Sequence, residues 1–245
     1  MIEVEKLTKA FRDRRKGTLY AVKDVTFSCR PGEVFGLLGP NGAGKTTALR
    51  MISTALQPTG GRGSVMGFDF VREPEKVRRV IGFLAANTGL YGRLTPRENL
   101  RYFATLFGVE RKACEARIAE LAATFAMTDF LDRPCDKLST GMKQKVNIAR
   151  SVIHSPEVMI FDEPTSGLDV LTSRHIVDFV RKCRADGKTV LLSTHIMSEV
   201  KKLCDRVGII HNGQLQFVGT LDEMEQQFGS DLEEAFISIV SEASP

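Results

Sequence analysis

The stretch Gly39-Pro40-Asn41-Gly42-Ala43-Gly44-Lys45-Thr46-Thr47 restricts this chain more than any other part of its sequence. It matches the spacing G-x-x-x-x-G-K-[ST], in which backbone N–H groups of a glycine-rich loop cradle phosphates. The apolar run Val34-Phe35-Gly36-Leu37-Leu38 precedes it and reads as a buried strand. Ala48-Leu49-Arg50-Met51-Ile52 follows and reads as the first turns of a helix. Strand, loop and helix in that order are the context the motif requires. Glycine at 39, 42 and 44 allows positive φ, where a Cβ would clash. The N–H groups and the positive end of the helix then form an anion nest. Lys45 would reach the β- and γ-phosphates, and the Thr46 hydroxyl would ligate Mg²⁺. A chance glycine-rich turn is the plainer reading, and the fixed spacing between strand and helix disfavours it. The stretch implies a nucleoside triphosphate site.

Bulk properties narrow the partners. At 245 residues the chain can bury a substantial core. Its net charge of +4 is the small difference between 34 basic and 30 acidic side chains. With no long basic block or aromatic-interleaved patch, that balance argues against nucleic acid as a partner. The densest basic cluster, Arg12, Arg14, Arg15 and Lys16, reads as a solvated loop. Cys29, Cys114, Cys135, Cys183 and Cys204 are scattered and never in C-x-x-C spacing, which suits a reducing compartment and excludes a disulfide framework. No segment reaches 18 apolar residues, so any membrane work is expected to go through a partner.

Ile2-Glu3-Val4-Glu5-Lys6-Leu7 and Val25-Thr26-Phe27-Ser28-Cys29 alternate apolar and polar, as half-buried strands do. They predict a small antiparallel layer beside the loop. Val80-Ile81-Gly82-Phe83-Leu84 is another strand candidate. From Thr95-Pro96-Arg97-Glu98 the pattern turns helical, with a threonine cap and proline at the first helical position, and stays helical to about 154. Val158-Met159-Ile160-Phe161 and Thr189-Val190-Leu191-Leu192-Ser193 read as strands buried on both faces, which a parallel sheet produces. Asn212-Gly213 between two apolar runs is the strongest hairpin signal. The fold class expected is α/β: a mostly parallel sheet with flanking helices, a small antiparallel layer and an inserted helical subdomain. One domain over 1–245 is expected, with the helical part at about 88–155 and a tail at about 221–245.

Asp162-Glu163 follows one apolar strand and so sits at its C-terminal edge, where open α/β sheets place ligands. Asp162 would hold Mg²⁺; Glu163 would accept a proton from, or orient, the attacking water. Taken alone, an acidic pair merely opens a solvated turn; Pro164-Thr165-Ser166-Gly167-Leu168-Asp169 and the earlier loop change that reading. His195 ends the neighbouring strand and is expected at the γ-phosphate. Leu138-Ser139-Thr140-Gly141-Met142 precedes a helix that Ser139 caps, which offers a second anion site.

Together these motifs resemble the nucleotide-binding subunit of ATP-binding-cassette (ABC) transporters, over about residues 2–220. In that resemblance 39–47 is similar to Walker A of a P-loop NTPase core, and 158–163 to Walker B. Leu138-Ser139-Thr140-Gly141-Met142 stands where Leu-Ser-Gly-Gly-Gln belongs. Ser166-Gly167-Leu168-Asp169 resembles the D-loop, and His195 the switch histidine. Phe11 resembles the aromatic residue that stacks on adenine, with Tyr20 as the other candidate. The resemblance implies an Mg²⁺-dependent ATPase working as a pair: two such chains pack head to tail, so that Ser139 and Gly141 of one complete the ATP site built on Lys45 of the other. It implies polytopic membrane permease subunits as partners, contacted from Asn87 through the helical insertion, at the cytoplasmic membrane face. Thr140 and Met142 depart from the signature, and Ala86, with Asn87 beside it, replaces an expected glutamine. The segment 88–95, the Ser-Thr-Gly-Met-Lys-Gln signature and Asp231-Leu232-Glu233-Glu234-Ala235-Phe236 resemble the ABC-2 export branch and its sodium-extruding Nat-type ATPases, with sodium or drug efflux as the implied work. The alternatives are a non-transport ABC ATPase and a nucleotide sensor with little turnover.

Overall fold

The apolar runs at 34–38, 158–162 and 189–194 form the middle of a six-stranded sheet, and every residue in them is buried. A computed structural model describes residues 1–13, 17–85, 89–229 and 231–242. In chain order its strands are β1 (Ile2–Asp13), β2 (Gly17–Cys29), β3 (Val34–Leu38), β4 (Gly60–Val65), β5 (Phe68–Asp69), β6 (Ile81–Leu84), β7 (Val158–Asp162), β8 (Thr189–Thr194), β9 (Arg206–His211) and β10 (Gln214–Thr220). The helices are α1 (Lys45–Ile52), α2 (Pro74–Val80), α3 (Pro96–Leu106), α4 (Arg111–Thr124), α5 (Thr140–Ser151), α6 (Val170–Ala185), α7 (Met197–Leu203), α8 (Leu221–Phe228) and α9 (Leu232–Glu242).

The large sheet runs β10-β9-β3-β8-β7-β6. All its pairs are parallel except the β9–β10 hairpin. That hairpin turns on Asn212 and Gly213, both at positive φ, the type I′ geometry that suits the twist of paired strands. The second sheet, β2-β1-β4-β5, is antiparallel.

Period-2 alternation along the central strands separates two cores. Phe35, Leu37, Ile160, Leu191 and Ile210 face α1 and the antiparallel sheet. Leu38, Met159, Phe161, Leu192 and Ile209 face the helices on the other side. Removing a side chain such as Phe161, which is fully buried, would cost about 3–5 kcal/mol. Strands covered on both faces hold their ends still, and the ligand edge of the sheet inherits that rigidity.

Two local expectations are corrected. Val80 belongs to the end of α2 rather than to a strand; Pro74 at the start of that helix is the signal that marks it. The helical stretch expected to run on to about 154 is broken between 124 and 140, where only the 3₁₀ turns Thr128–Phe130 and Cys135–Lys137 occur. Ala126 at φ 49 ends the continuity after α4, and Pro134 lacks the N–H that a continuing helix needs. Thr95 does cap α3, in a full capping box with Glu98. Among the described residues no helix is long and apolar enough to cross a membrane.

Candidate active site

The loop between β3 and α1 is built on a glycine that no other residue could replace without strain. Gly44, at the helix start, has φ 111, and a Cβ there would lie 2.5 Å from the Ala21 carbonyl oxygen. No side chain caps α1, so the N–H groups of its first turn are left for an anion. They border a small cavity lined by Ala21, Asn41, Gly42, Ala43, Gly44, Lys45, Thr46, Thr47 and Glu163. The β9–β10 turn braces the loop from behind. Gly213 donates its N–H to the Ala43 carbonyl at 2.9 Å and accepts from the Lys23 N–H at 2.8 Å.

Lys45 is 5% exposed, and a buried ammonium needs partners. It donates to the carbonyls of Gly39 at 2.7 Å and Pro40 at 3.1 Å, and its Nζ lies 3.4 Å from Glu163 Oε1. The other Glu163 oxygen is 3.4 Å from His195 Nδ1. Glu163 therefore stands between the loop lysine and the histidine. Its backbone is in the left-handed region at φ 47. For a non-glycine residue that conformation costs about 1–3 kcal/mol and is held by its surroundings. Asp162, fully buried, accepts the Thr46 hydroxyl at 3.1 Å and the Ser193 hydroxyl at 2.7 Å, both on Oδ1. Its Oδ2 is buried with no hydrogen-bond partner. A carboxylate bonded to a threonine hydroxyl that itself lines the anion nest is oxygen-donor chemistry of the kind a hard divalent cation takes.

The sheet edge thus gathers Lys45, Thr46, Asp162, Glu163 and His195 from three separate strand ends. Other candidates lie elsewhere. Phe11 and Tyr20 are both exposed on the β1–β2 pair, and neither lines the loop cavity. Arg12 is exposed, while Arg14, Arg15 and Lys16 lie outside the described residues, as do Ala86 and Asn87. Ser139 caps α5 by accepting the Met142 N–H at 3.3 Å. A Cβ on Gly141 would come 3.1 Å from Thr172 Oγ1 and 3.4 Å from Asp169 Oδ2. Neither residue lines the loop cavity of its own chain.

Several connections had no sequence motif to announce them. Ser193 is one; its only signal is a polar residue closing an apolar strand, and its place opposite Asp162 depends on the parallel register. Gln144 of α5 donates to the Pro164 carbonyl at 2.9 Å, linking the signature helix to the segment after Glu163. Glu199 of α7, nearly buried, accepts the Thr165 hydroxyl at 2.8 Å. Burial raises the Glu199 pKa above the ordinary carboxylate value, and the hydroxyls of Thr165 and Thr194 oppose that rise. Arg150 crosses the space between sheet and helices, donating to the Gly89 carbonyl at 2.9 Å with its guanidinium 4.8 Å from the Phe103 ring centre. Its burial lowers its pKa.

Residues 22–166 match a family model described as ABC transporter. The chain is 44% identical over 240 residues to the ABC transporter ATP-binding protein NatA of Bacillus subtilis (strain 168), covering 97% of each. It is 36% identical over 231 residues to the linearmycin resistance ATP-binding protein LnrL of the same organism, covering 94% of this chain and 73% of that one. A solved dimeric ATP-binding cassette, in a post-hydrolysis state bound to ADP and Pi, superposes with a TM-score of 0.82 at 26% identity, over 90% of this chain and 99% of the other.

Proposed function

The chain belongs to the ABC transporter family as an ATP-binding, ATP-hydrolysing subunit, and we propose that it powers export by closing head to tail on a second copy around ATP. The observation that carries the hydrolytic reading is that Lys45, Thr46 and Glu163 line one loop cavity, with the buried Asp162 hydrogen-bonded to the Thr46 hydroxyl.

In this reading the N–H groups of 39–47, namely Gly39, Asn41, Gly42, Ala43, Gly44, Lys45, Thr46 and Thr47, hold the phosphates, with Pro40 setting the turn. Lys45 exchanges its carbonyl and carboxylate partners for phosphate oxygens. Thr46 and Asp162 would hold Mg²⁺, which supplies charge neutralisation on the phosphates when bound. Glu163, next to Lys45 and His195, takes a proton from the attacking water or orients it. His195 steadies that carboxylate and faces the γ-phosphate. Phe11 stacks on adenine from the exposed hairpin. Ser139 and Gly141 meet the triphosphate of the partner chain, which fits their distance from their own loop. We take 1–245 as one ATP-binding domain, with 88–155 as its helical subdomain and 221–245 as a tail.

The partner in the membrane would be a permease subunit, seated in the groove between sheet and helical segment. That groove is lined by Phe83, Phe103, Leu106, Phe107, Arg150 and His154, and Leu106 and Phe107 are exposed. Such a seat places the chain at the cytoplasmic membrane face. Drug efflux has the support of a relative named for linearmycin resistance; sodium extrusion rests on the sequence resemblance alone.

Steady-state phosphate release from Glu163→Gln tests the assignment. Turnover is expected to fall about 10²–10⁴-fold with ATP binding retained. Undiminished hydrolysis would remove Glu163 from its role.

A further inference from the structure

One buried hydroxyl touches both carboxylate residues of the site. Ser193 ends the core of β8 with no exposed surface, opposite Asp162 in the parallel ladder. Its Oγ donates to Asp162 Oδ1 at 2.7 Å and accepts the Glu163 N–H at 3.0 Å. A serine hydroxyl carries one proton and two lone pairs, so it makes both bonds at once. The same Glu163 N–H also reaches the Ser193 carbonyl at 3.2 Å.

We propose that Ser193 is a positioning residue for hydrolysis, fixing the orientation of the Asp162 carboxylate and holding Glu163 in its left-handed turn. The inference rests on the reading of Asp162 as a cation ligand. With the Ser193 and Thr46 hydroxyls both on Oδ1, the carboxylate cannot rotate without breaking two bonds. Thr46 can give its proton to Oδ1 and still offer a lone pair to a cation. Glu163, at φ 47, needs its N–H held, and both acceptors for that N–H belong to Ser193. Without the hydroxyl, Asp162 keeps one anchor, and Glu163 keeps only the longer carbonyl bond. A serine present merely to fill space would be replaced by alanine at little cost, since alanine lacks only the oxygen.

The test uses the full chain with Ser193→Ala and Ser193→Thr. ATP affinity is measured in EDTA and then across a Mn²⁺ titration, beside kcat, KM and melting temperature. For Ser193→Ala the affinity in EDTA should match the parent, while the Mn²⁺ concentration for half-maximal enhancement of binding rises about 10-fold. Its kcat should fall about 10–100-fold with KM little changed. Ser193→Thr keeps the hydroxyl and should recover most of both; if its extra methyl unfolds the chain, Ser193→Cys, a weaker donor, should fall between alanine and serine. Parental Mn²⁺ dependence and kcat in Ser193→Ala would overturn the proposal, as would a well-folded threonine variant no better than alanine. Asp162→Asn with unchanged Mn²⁺ dependence would instead remove the cation-site reading itself, whichever way Ser193→Ala behaves.

Discussion

The edge of the six-stranded sheet and the start of α5 both offer backbone N–H groups to an anion, yet they are finished to different degrees. At the sheet edge, the loop, Asp162 and Glu163 meet within one chain, and Lys45 lies 3.4 Å from Glu163. At α5 the Ser139 hydroxyl caps its own helix, and Gly141 rests beside Asp169 and Thr172. Among the described residues, nothing at α5 completes a phosphate site in its own chain. On the proposed reading, the difference means that one region holds substrate and the other acts only with a second chain. Substitutions should therefore separate binding from turnover according to the region they touch.

Lys45→Ala should have the largest effect, because it removes the buried ammonium that lines the loop cavity. Turnover is expected to drop at least about 10²–10³-fold and ATP affinity to fall with it, read by calorimetry and phosphate release. Affinity held at the parental value would place the triphosphate elsewhere. Gly141→Asp should lose turnover about 10²-fold while the isolated chain binds ATP as the parent does, since the new carboxylate opposes an anion presented by the partner. An acidic residue suits the first turn of a helix, while its Cβ would crowd Thr172 Oγ1 at 3.1 Å and Asp169 Oδ2 at 3.4 Å, so the melting temperature is read beside turnover. Equal losses in affinity and turnover would bring the two regions into one chain's site and end the contrast. Thr95→Ala, away from both, should cost only about 1 kcal/mol through the lost cap. That shifts the melting temperature by about 2–4 °C and leaves kcat alone.

The sequence was most informative where one residue type has one use. Glycine before Lys45-Thr46, Asn212-Gly213 in the hairpin, and unbroken apolar runs in β7 and β8 each correspond to a backbone demand, and the structure meets each one. Legibility failed where function depends on strand register or on remote contact. Ser193 matters only because parallel pairing sets it opposite Asp162. Glu199 has its pKa raised by burial and partly restored by the Thr165 hydroxyl, a partner 34 positions away. The helical stretch was over-extended because composition alone does not show where Ala126 adopts positive φ. Phe11 illustrates the opposite limit: resemblance alone assigns it to adenine, and the exposed ring does not line the loop cavity of its own chain.

Light scattering of Glu163→Gln, with and without ATP and Mg²⁺, tests the two-chain site most directly. The mass should double with ATP, return to that of one chain with ADP, and fail to double when Gly141→Asp is added. A mass unmoved by ATP, or a doubling that survives the second substitution, would contradict a site shared between copies.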